Sequence, residues 1–315
     1  MTPRAPKYLF HSDIQAHQDP AGLTDFIKMA QPLGVTIQKV GINRFRIPIR
    51  YQYQDRRIMG HDAEASLFVH CSPEKSGINM SRLCLILTQE TEKHTVGPDL
   101  FRSVLRRMRK EMRDKLHDPL VDSSYLEIKF KAALKQLSLK SPHWGWQYYD
   151  TTWKAEENSQ GQIKWYLTVD YEYSSACPCS LAMAKQYERQ HEKGITQEGV
   201  GIAVSHSQRS RARVQVECAP DKALHIENLI DLLRCAIPTE TQSMVKRIDE
   251  QAFAILNGEY PIFVEHAARR IHHELNSDKR ILDWCAKIEH FESLHSHNAV
   301  AQISKGLPNG LKLCE

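Results

Sequence analysis

The chain has 315 residues, 25% charged and 41% apolar, with 14 Gly and 14 Pro; this excludes collagen-like and low-complexity chains and gives enough core for one large domain or two ordinary ones. Lys plus Arg exceed Asp plus Glu by 42 − 38 = +4, which excludes a generally basic nucleic-acid or membrane binder and leaves any anionic ligand to local groups. No run approaches the roughly 18 uncharged apolar residues of a membrane helix, and the N-terminal segment lacks the apolar stretch of a secretion signal, so the expected compartment is the cytosol.

In chain order, residues 1–30 are polar and Pro-punctuated and read as an arm. Short alternations from Val35 to Tyr53 and from Ala63 to Cys71 predict strands, and SRLCLIL, from Ser81 to Leu87, reads as a more buried strand. After Gly97 and Pro98 the period changes. Leu100, Phe101, Val104, Leu105, Met108, Met112 and Leu116 recur at three and four residues and predict an amphipathic helix of about five turns. Its opposite face carries Arg102, Arg106, Arg107, Arg109, Lys110, Arg113 and Lys115, which as a class are usually solvated. SPHWGWQYYD, from Ser141 to Asp150, breaks the pattern, and divides a first module (31–145) from a second (146–300), with a tail over 301–315. Ile163, Trp165, Leu167, Val169, Tyr171 and Tyr173 alternate with polar residues in the clearest strand, and Ala212 to Cys218 supply a second. Helical spacing returns over Ala223 to Cys235, Ser243 to Leu256 and Pro261 to Leu275. Two rounds of strands followed by helices predict an α+β protein with antiparallel sheets.

The chemistry concentrates in the second half. The clear strand runs into SSACPCS, placing Cys177 and Cys179 at a strand end around Pro178. Such a pair cannot fill a structural zinc site alone, and on spacing it reads equally as two structural thiols or as a ligand or reactive thiol. VSHSQRS then puts His206 at the start of an antiparallel strand, beside the end of the previous one, which favours a shared site. KRIDE (Lys246 to Glu250) and FVE (Phe263 to Glu265) lie on predicted helices, where a Glu is ordinarily a surface carboxylate. In HFESLHSH, His295 and His297 point the same way if extended, as a metal pair or a solvated loop would.

GINMSR (Gly77 to Arg82), SSACPCS, HSQRS, KRIDE, FVE and ESLHSH, in that order over roughly residues 35 to 300, resemble the type IB GTP cyclohydrolase I family. The resemblance implies a tunnelling fold with two ββααββ-like modules per chain, antiparallel sheets and helices on one face. It further implies a homotetramer with sites at subunit interfaces, and conversion of GTP and water to 7,8-dihydroneopterin triphosphate and formate, feeding folate synthesis and, as a second outlet, queuosine. Carried over, it makes Cys177 the metal-binding thiolate next to Cys179, His206 its partner ligand and Glu250 a third, weaker contact. Glu265 becomes the guanine anchor, His295 the catalytic histidine, and Arg82, Arg209, Ser210, Lys246 and Arg247 the candidates for the triphosphate. The implied cofactor is a divalent ion, and thiolate, imidazole and carboxylate together suit zinc, manganese or iron. One departure is the 28 residues between Cys177 and His206, a longer link that starts as a helix and ends with Gly199 and Gly201. Two rivals remain at this level: a nitrile reductase of the same fold, whose cysteine attacks carbon, and a non-catalytic metalloprotein whose basic helix binds nucleic acid.

Overall fold

A computed structural model describes residues 17–18, 24–25, 35–73, 77–113, 121–220 and 222–314. The arm expected over 1–30 lies outside these, apart from the paired dipeptides β1 (His17–Gln18) and β2 (Thr24–Asp25). The remaining strands are β3 (Ile37–Gln52), β4 (Ile58–Cys71), β5 (Ser124–Leu137), β6 (Trp144–Glu157), β7 (Ile163–Ala176), β8 (Ser207–Cys218), β9 (Ile281–His290) and β10 (Ala299–Ser304). The helices are α1 (Met80–Lys93), α2 (Pro98–Glu111), α3 (Pro178–Glu192), α4 (Ile226–Ala236), α5 (Arg247–Glu259) and α6 (Val264–Ser277).

All eight long strands form one antiparallel sheet in the order β10-β9-β8-β7-β6-β5-β4-β3. This corrects the expectation of two ββααββ-like modules. The first half does run β3-β4-α1-α2-β5-β6, but in the second α3 interrupts the β7–β8 hairpin and three helices precede β9. The halves share one sheet because a tight turn joins β6 to β7. Asn158 Oδ1 accepts from the amides of Gln160 (3.1 Å) and Gln162 (3.0 Å), Gly161 takes φ 78°, and pairing continues from Glu157↔Ile163 to Thr151↔Val169.

One face of the sheet carries the helices. Trp165, Leu167, Val169, Tyr171 and Tyr173 of β7 all point into that core, with Ala212, Val214 and Val216 of β8 beside them. The other face carries ion pairs, among them Lys131–Asp150 (2.6 Å), Arg213–Asp170 (3.2 Å) and Arg211–Glu289 (3.1 Å).

Ser81 to Leu87 is helix α1, not the buried strand its short apolar run suggested. Asn79 Oδ1 accepts from the Arg82 amide (3.3 Å), and the buried positions Leu83, Ile86, Leu87 and Glu90 follow the helical period once the window extends beyond Leu87. Glu90 is buried yet ionised. Burial alone would raise its pKa, but Ser103 (2.5 Å), Lys93 (2.9 Å) and Arg107 (2.8 Å) donate to it and bring it down to about 2. Part of the basic face of α2 is correspondingly engaged: Arg107 also holds Glu111 (2.7 Å), and Arg109 is buried against Glu157 (2.9 Å), while Arg106 and Lys110 are exposed. Leu116, the expected end of that helix, lies outside the described residues.

Helix α5 starts four residues later than its periodicity predicted, because Asp249 builds the N-terminus. Its carboxylate accepts from the amides of Lys246, Lys140 and Ser141 (2.8 Å each) and from Ser141 Oγ (2.6 Å). Against the effect of burial, these bonds hold it well below the usual carboxylate range. The KRIDE segment is thus tied to the β5–β6 turn. Strand β6 begins inside the segment read as a pattern break, since Trp144, Trp146 and Tyr148 on one face and Tyr149 on the other hide any apolar–polar alternation.

Candidate active site

The sheet register brings the two best sequence candidates together. Beyond the last β7–β8 pair, Ala176↔Ser207, the Cys177 amide donates to the His206 carbonyl (3.1 Å). Cys177 is half-buried and caps α3, Pro178 occupies the first helical position, and Cys179 one step on is exposed. Ser205 Oγ donates to the Cys177 carbonyl (2.9 Å), fixing the return of the chain.

A polar ladder supports His206 on the helix-bearing face. Gln208 donates its Nε2–H to Ser175 Oγ (2.7 Å), which pairs with Ser210 Oγ (2.8 Å). That orientation turns Gln208 Oε1 toward His206 Nδ1 (3.2 Å), a contact that favours the tautomer with the proton on Nδ1 and the lone pair on Nε2. Glu292 Oε2 lies 3.7 Å from the same Nδ1, and is buried without a hydrogen-bond partner.

A second buried group lies next along the ladder. His290, paired with Ser210 across β8 and β9, meets Tyr173 Oη through Nε2 (3.0 Å). Burial pushes its pKa down to about 4, although the Glu265 carboxylate at the start of α6 acts in the opposite sense. An unfolded histidine titrates near 6.5, so between about pH 6.5 and 4 the unfolded chain binds a proton that the folded one refuses. Stability contributed by neutral His290 is therefore full above pH 6.5 and is lost as pH falls toward 4. In urea titrations, the loss of stability between pH 7 and 4.5 should be about 2 kcal/mol smaller in His290→Gln, which keeps a hydrogen bond to Tyr173 but does not titrate. An unchanged pH slope would assign the acid sensitivity to other groups.

The other candidates are placed as follows. Glu250 is exposed on α5 and, with Tyr173, Ser174 and Arg209, lines a cavity of about 360 Å³. Lys246 and Arg247 are exposed at the start of the same helix. Arg209 is exposed and faces Glu172 (3.8 Å), whereas Ser210 is fully buried in the ladder. Arg82 sits in α1 over the first half of the sheet, donating to the Glu111 carbonyl. His295 and His297 are exposed in the β9–β10 connection with their rings stacked at 5.0 Å. That connection is fastened to β8 by Phe291 N to Arg209 O (3.1 Å) and Ser293 Oγ to Ser207 O (3.2 Å). Among the described residues, no three His, Cys, Asp or Glu side chains converge as a ready metal cage; Cys177 and His206 are brought together, and Glu250 is not joined to them.

The long link folds as α3 and a loop closed on it. Tyr187 Oη donates to the Glu198 carbonyl and accepts from Gly201 N (3.3 Å). Both glycines there have positive φ, and a Cβ would fall 2.6 Å from Tyr187 Oη at Gly199 and 2.6 Å from His191 Nδ1 at Gly201. Sequence reasoning missed Ser175, Gln208, His290 and Glu292. Two of them stand two residues from named candidates on a period-2 face, Ser175 from Cys177 and Gln208 from His206, a signal available in SSACPCS and HSQRS themselves.

Comparison with known proteins shows the family. The family described as type I GTP cyclohydrolase folE2 matches residues 23–301. GTP cyclohydrolase FolE2 of Cereibacter sphaeroides is 40% identical over 270 residues, covering 86% of this chain and 70% of the relative. The FolE2 of Paracoccus denitrificans is 37% identical over 270 residues, covering 86% and 78%. Among solved structures, uricase from Arthrobacter globiformis superposes with a TM-score of 0.50 at 8% identity, covering 86% of this chain and 95% of that one. That likeness is one of fold alone, a uricase-like tunnelling arrangement of a long antiparallel sheet backed by helices. With the motifs in order and the match spanning nearly the whole sheet, the chain belongs to the type I GTP cyclohydrolase FolE2 family.

Proposed function

We propose that this protein opens the imidazole ring of guanine in GTP, releasing C8 as formate and yielding 7,8-dihydroneopterin triphosphate for folate synthesis. The observation that carries the reading is the join of Cys177 to His206 at the β7–β8 end, beside the β9 end that holds His290 near Glu265. The donor set fits a divalent ion: a thiol and an imidazole lie on adjacent strand ends, and Gln208 and Glu292 flank the imidazole at Nδ1, which leaves Nε2 for the ion. Cys177 and His206 would hold the ion, with Glu250 as a third contact. When bound, such an ion acidifies water for attack at C8.

The chain's own residues supply the rest. Gln208 fixes the His206 tautomer, and the β7–β8 register sets its distance from Cys177. His295 gives a proton to N7, making C8 more electrophilic, and takes it back on ring opening. Glu265 accepts from guanine N1–H and the 2-amino group, a donor pair adenine lacks. Arg209, Lys246 and Arg247 meet the triphosphate. Arg82, on the other half of the sheet, joins from a neighbouring copy in a homotetramer with sites between subunits. No described helix is long and apolar enough to cross a membrane, and the cytosol is the compartment where GTP is at hand.

Base recognition offers the sharpest test. In Glu265→Gln an amide N–H₂ opposes a guanine donor, and losing one charge-assisted bond while burying that mismatch costs about 2 to 5 kcal/mol. GTP affinity measured by calorimetry in a catalytically dead background should fall accordingly with metal content intact. Equal affinity with and without the change would place the guanine anchor elsewhere.

A further inference from the structure

Strand β9 hides two residues on the wrong side of the sheet. Its Trp284, Ala286 and Ile288 belong to the helix-side core, so Asp283, Cys285, Lys287 and Glu289 point to the opposite face, the one that carries the ion pairs. Asp283 and Cys285 are nonetheless only 2% and 1% exposed. The segment after β10 covers them. The Leu311 amide donates to Asp283 Oδ2 (2.5 Å), and a Cβ at Gly310 would fall 2.4 Å from that same oxygen, so glycine lets the backbone come this close. Three residues on, the Cys314 carbonyl accepts from Gln302 Nε2 (2.8 Å), and Gln302 stands beside Lys287 across the β9–β10 pair. On its face of β9, Cys285 lies between Asp283 and Lys287, so the two anchors carry the segment directly over it.

Cys314 is itself buried at this crossing, 8% exposed, and its sulfur and the Cys285 thiol hydrogen-bond to one another. Gln215 of β8, opposite Cys285, completes the enclosure with Oε1 3.8 Å from Cys285 Sγ. Both cysteines are free thiols, and neither takes part in the chemistry assigned to Cys177. The two are unequal. The bond from Cys285, opposed by burial, holds the Cys314 thiol below its ordinary range, and the Arg213 guanidinium acts in the same sense, whereas that bond and burial together raise Cys285. A thiolate beside a protonated thiol is the arrangement of an attacking sulfur with a resolving one.

We propose that Cys285 and Cys314 are a redox modification site, forming a reversible disulfide that clips the segment after β10 onto β9. The site is independent of the reaction proposed at Cys177. With hydrogen peroxide as oxidant, the Cys314 thiolate attacks one peroxide oxygen and breaks the O–O bond, giving a sulfenic acid and hydroxide, which takes up a proton. The Cys285 sulfur then displaces the sulfenic oxygen, which leaves with the Cys285 proton as water. In sum two thiols and one peroxide become one disulfide and two waters, the sulfurs losing the two electrons that the peroxide gains. The test treats the reduced full chain with stoichiometric hydrogen peroxide, alkylates the remaining free thiols and digests without reductant. Mass spectrometry should find the Cys285 and Cys314 peptides joined and two hydrogens lighter, and separate and alkylatable after a dithiol reductant. In Cys314→Ser the same treatment should leave Cys285 as an alkylated free thiol. Recovery of both cysteines as free thiols in the unaltered protein, their irreversible oxidation to sulfonic acids, or a bridge from Cys285 to a different cysteine in either protein would overturn the proposal.

Discussion

Cys177→Ala should yield a folded protein that retains no stoichiometric divalent metal and no GTP turnover, while Cys179→Ala keeps most of both. The asymmetry follows from the strand end. Cys177 is half-buried, its amide bonded to the His206 carbonyl and its own carbonyl bonded to Ser205, so the backbone sets Cys177 opposite His206 at the strand end. Cys179 lies one step into α3 and is exposed. If Cys177 and His206 hold the ion, losing Cys177 lowers metal-binding free energy far more than losing the neighbouring thiol does. Metal content by atomic emission and turnover by pterin fluorescence, on the same preparations, would check both. If Cys179→Ala alone stripped the metal, the second sulfur would be the ligand.

His295→Ala should lower turnover by about 10² to 10⁴, the range for removing a general acid–base, with metal content unchanged. The connection carrying His295 is pinned to β8 at Arg209 and Ser207, the strand that starts next to His206. His297 stacks on His295 at 5.0 Å and supports its orientation, so His297→Ala should be milder. The reverse ranking would make His297 the proton carrier.

The pairing of Cys177 with His206 was legible for a physical reason: the two are joined by antiparallel pairing of two strongly alternating strands, and alternation is what a sequence displays best. Helices α4 and α6 were also legible, from apolar residues at helical spacing. Strand β6 was not, because aromatic residues occupy both its faces, nor was the true start of α5, which Asp249 sets through contacts with a turn more than 100 residues away. The continuity of the sheet, by contrast, rests on a local turn. It depends on Asn158 and Gly161 closing a tight hairpin where a module boundary had been expected nearby. Arg109 shows the limit of reading charge: on a helical wheel it belongs to a solvated basic face, yet it is buried against Glu157.

The central claim is that the Cys177–His206 site carries out metal-dependent opening of GTP. The direct measurement is release of labelled formate from GTP isotopically labelled at C8, by protein stripped with a chelator and then reloaded with a divalent ion. The account predicts no labelled formate from the stripped protein, and labelled formate together with pterin fluorescence after reloading. Labelled formate at an undiminished rate from thoroughly metal-free protein, or none with zinc, manganese or iron, would contradict it.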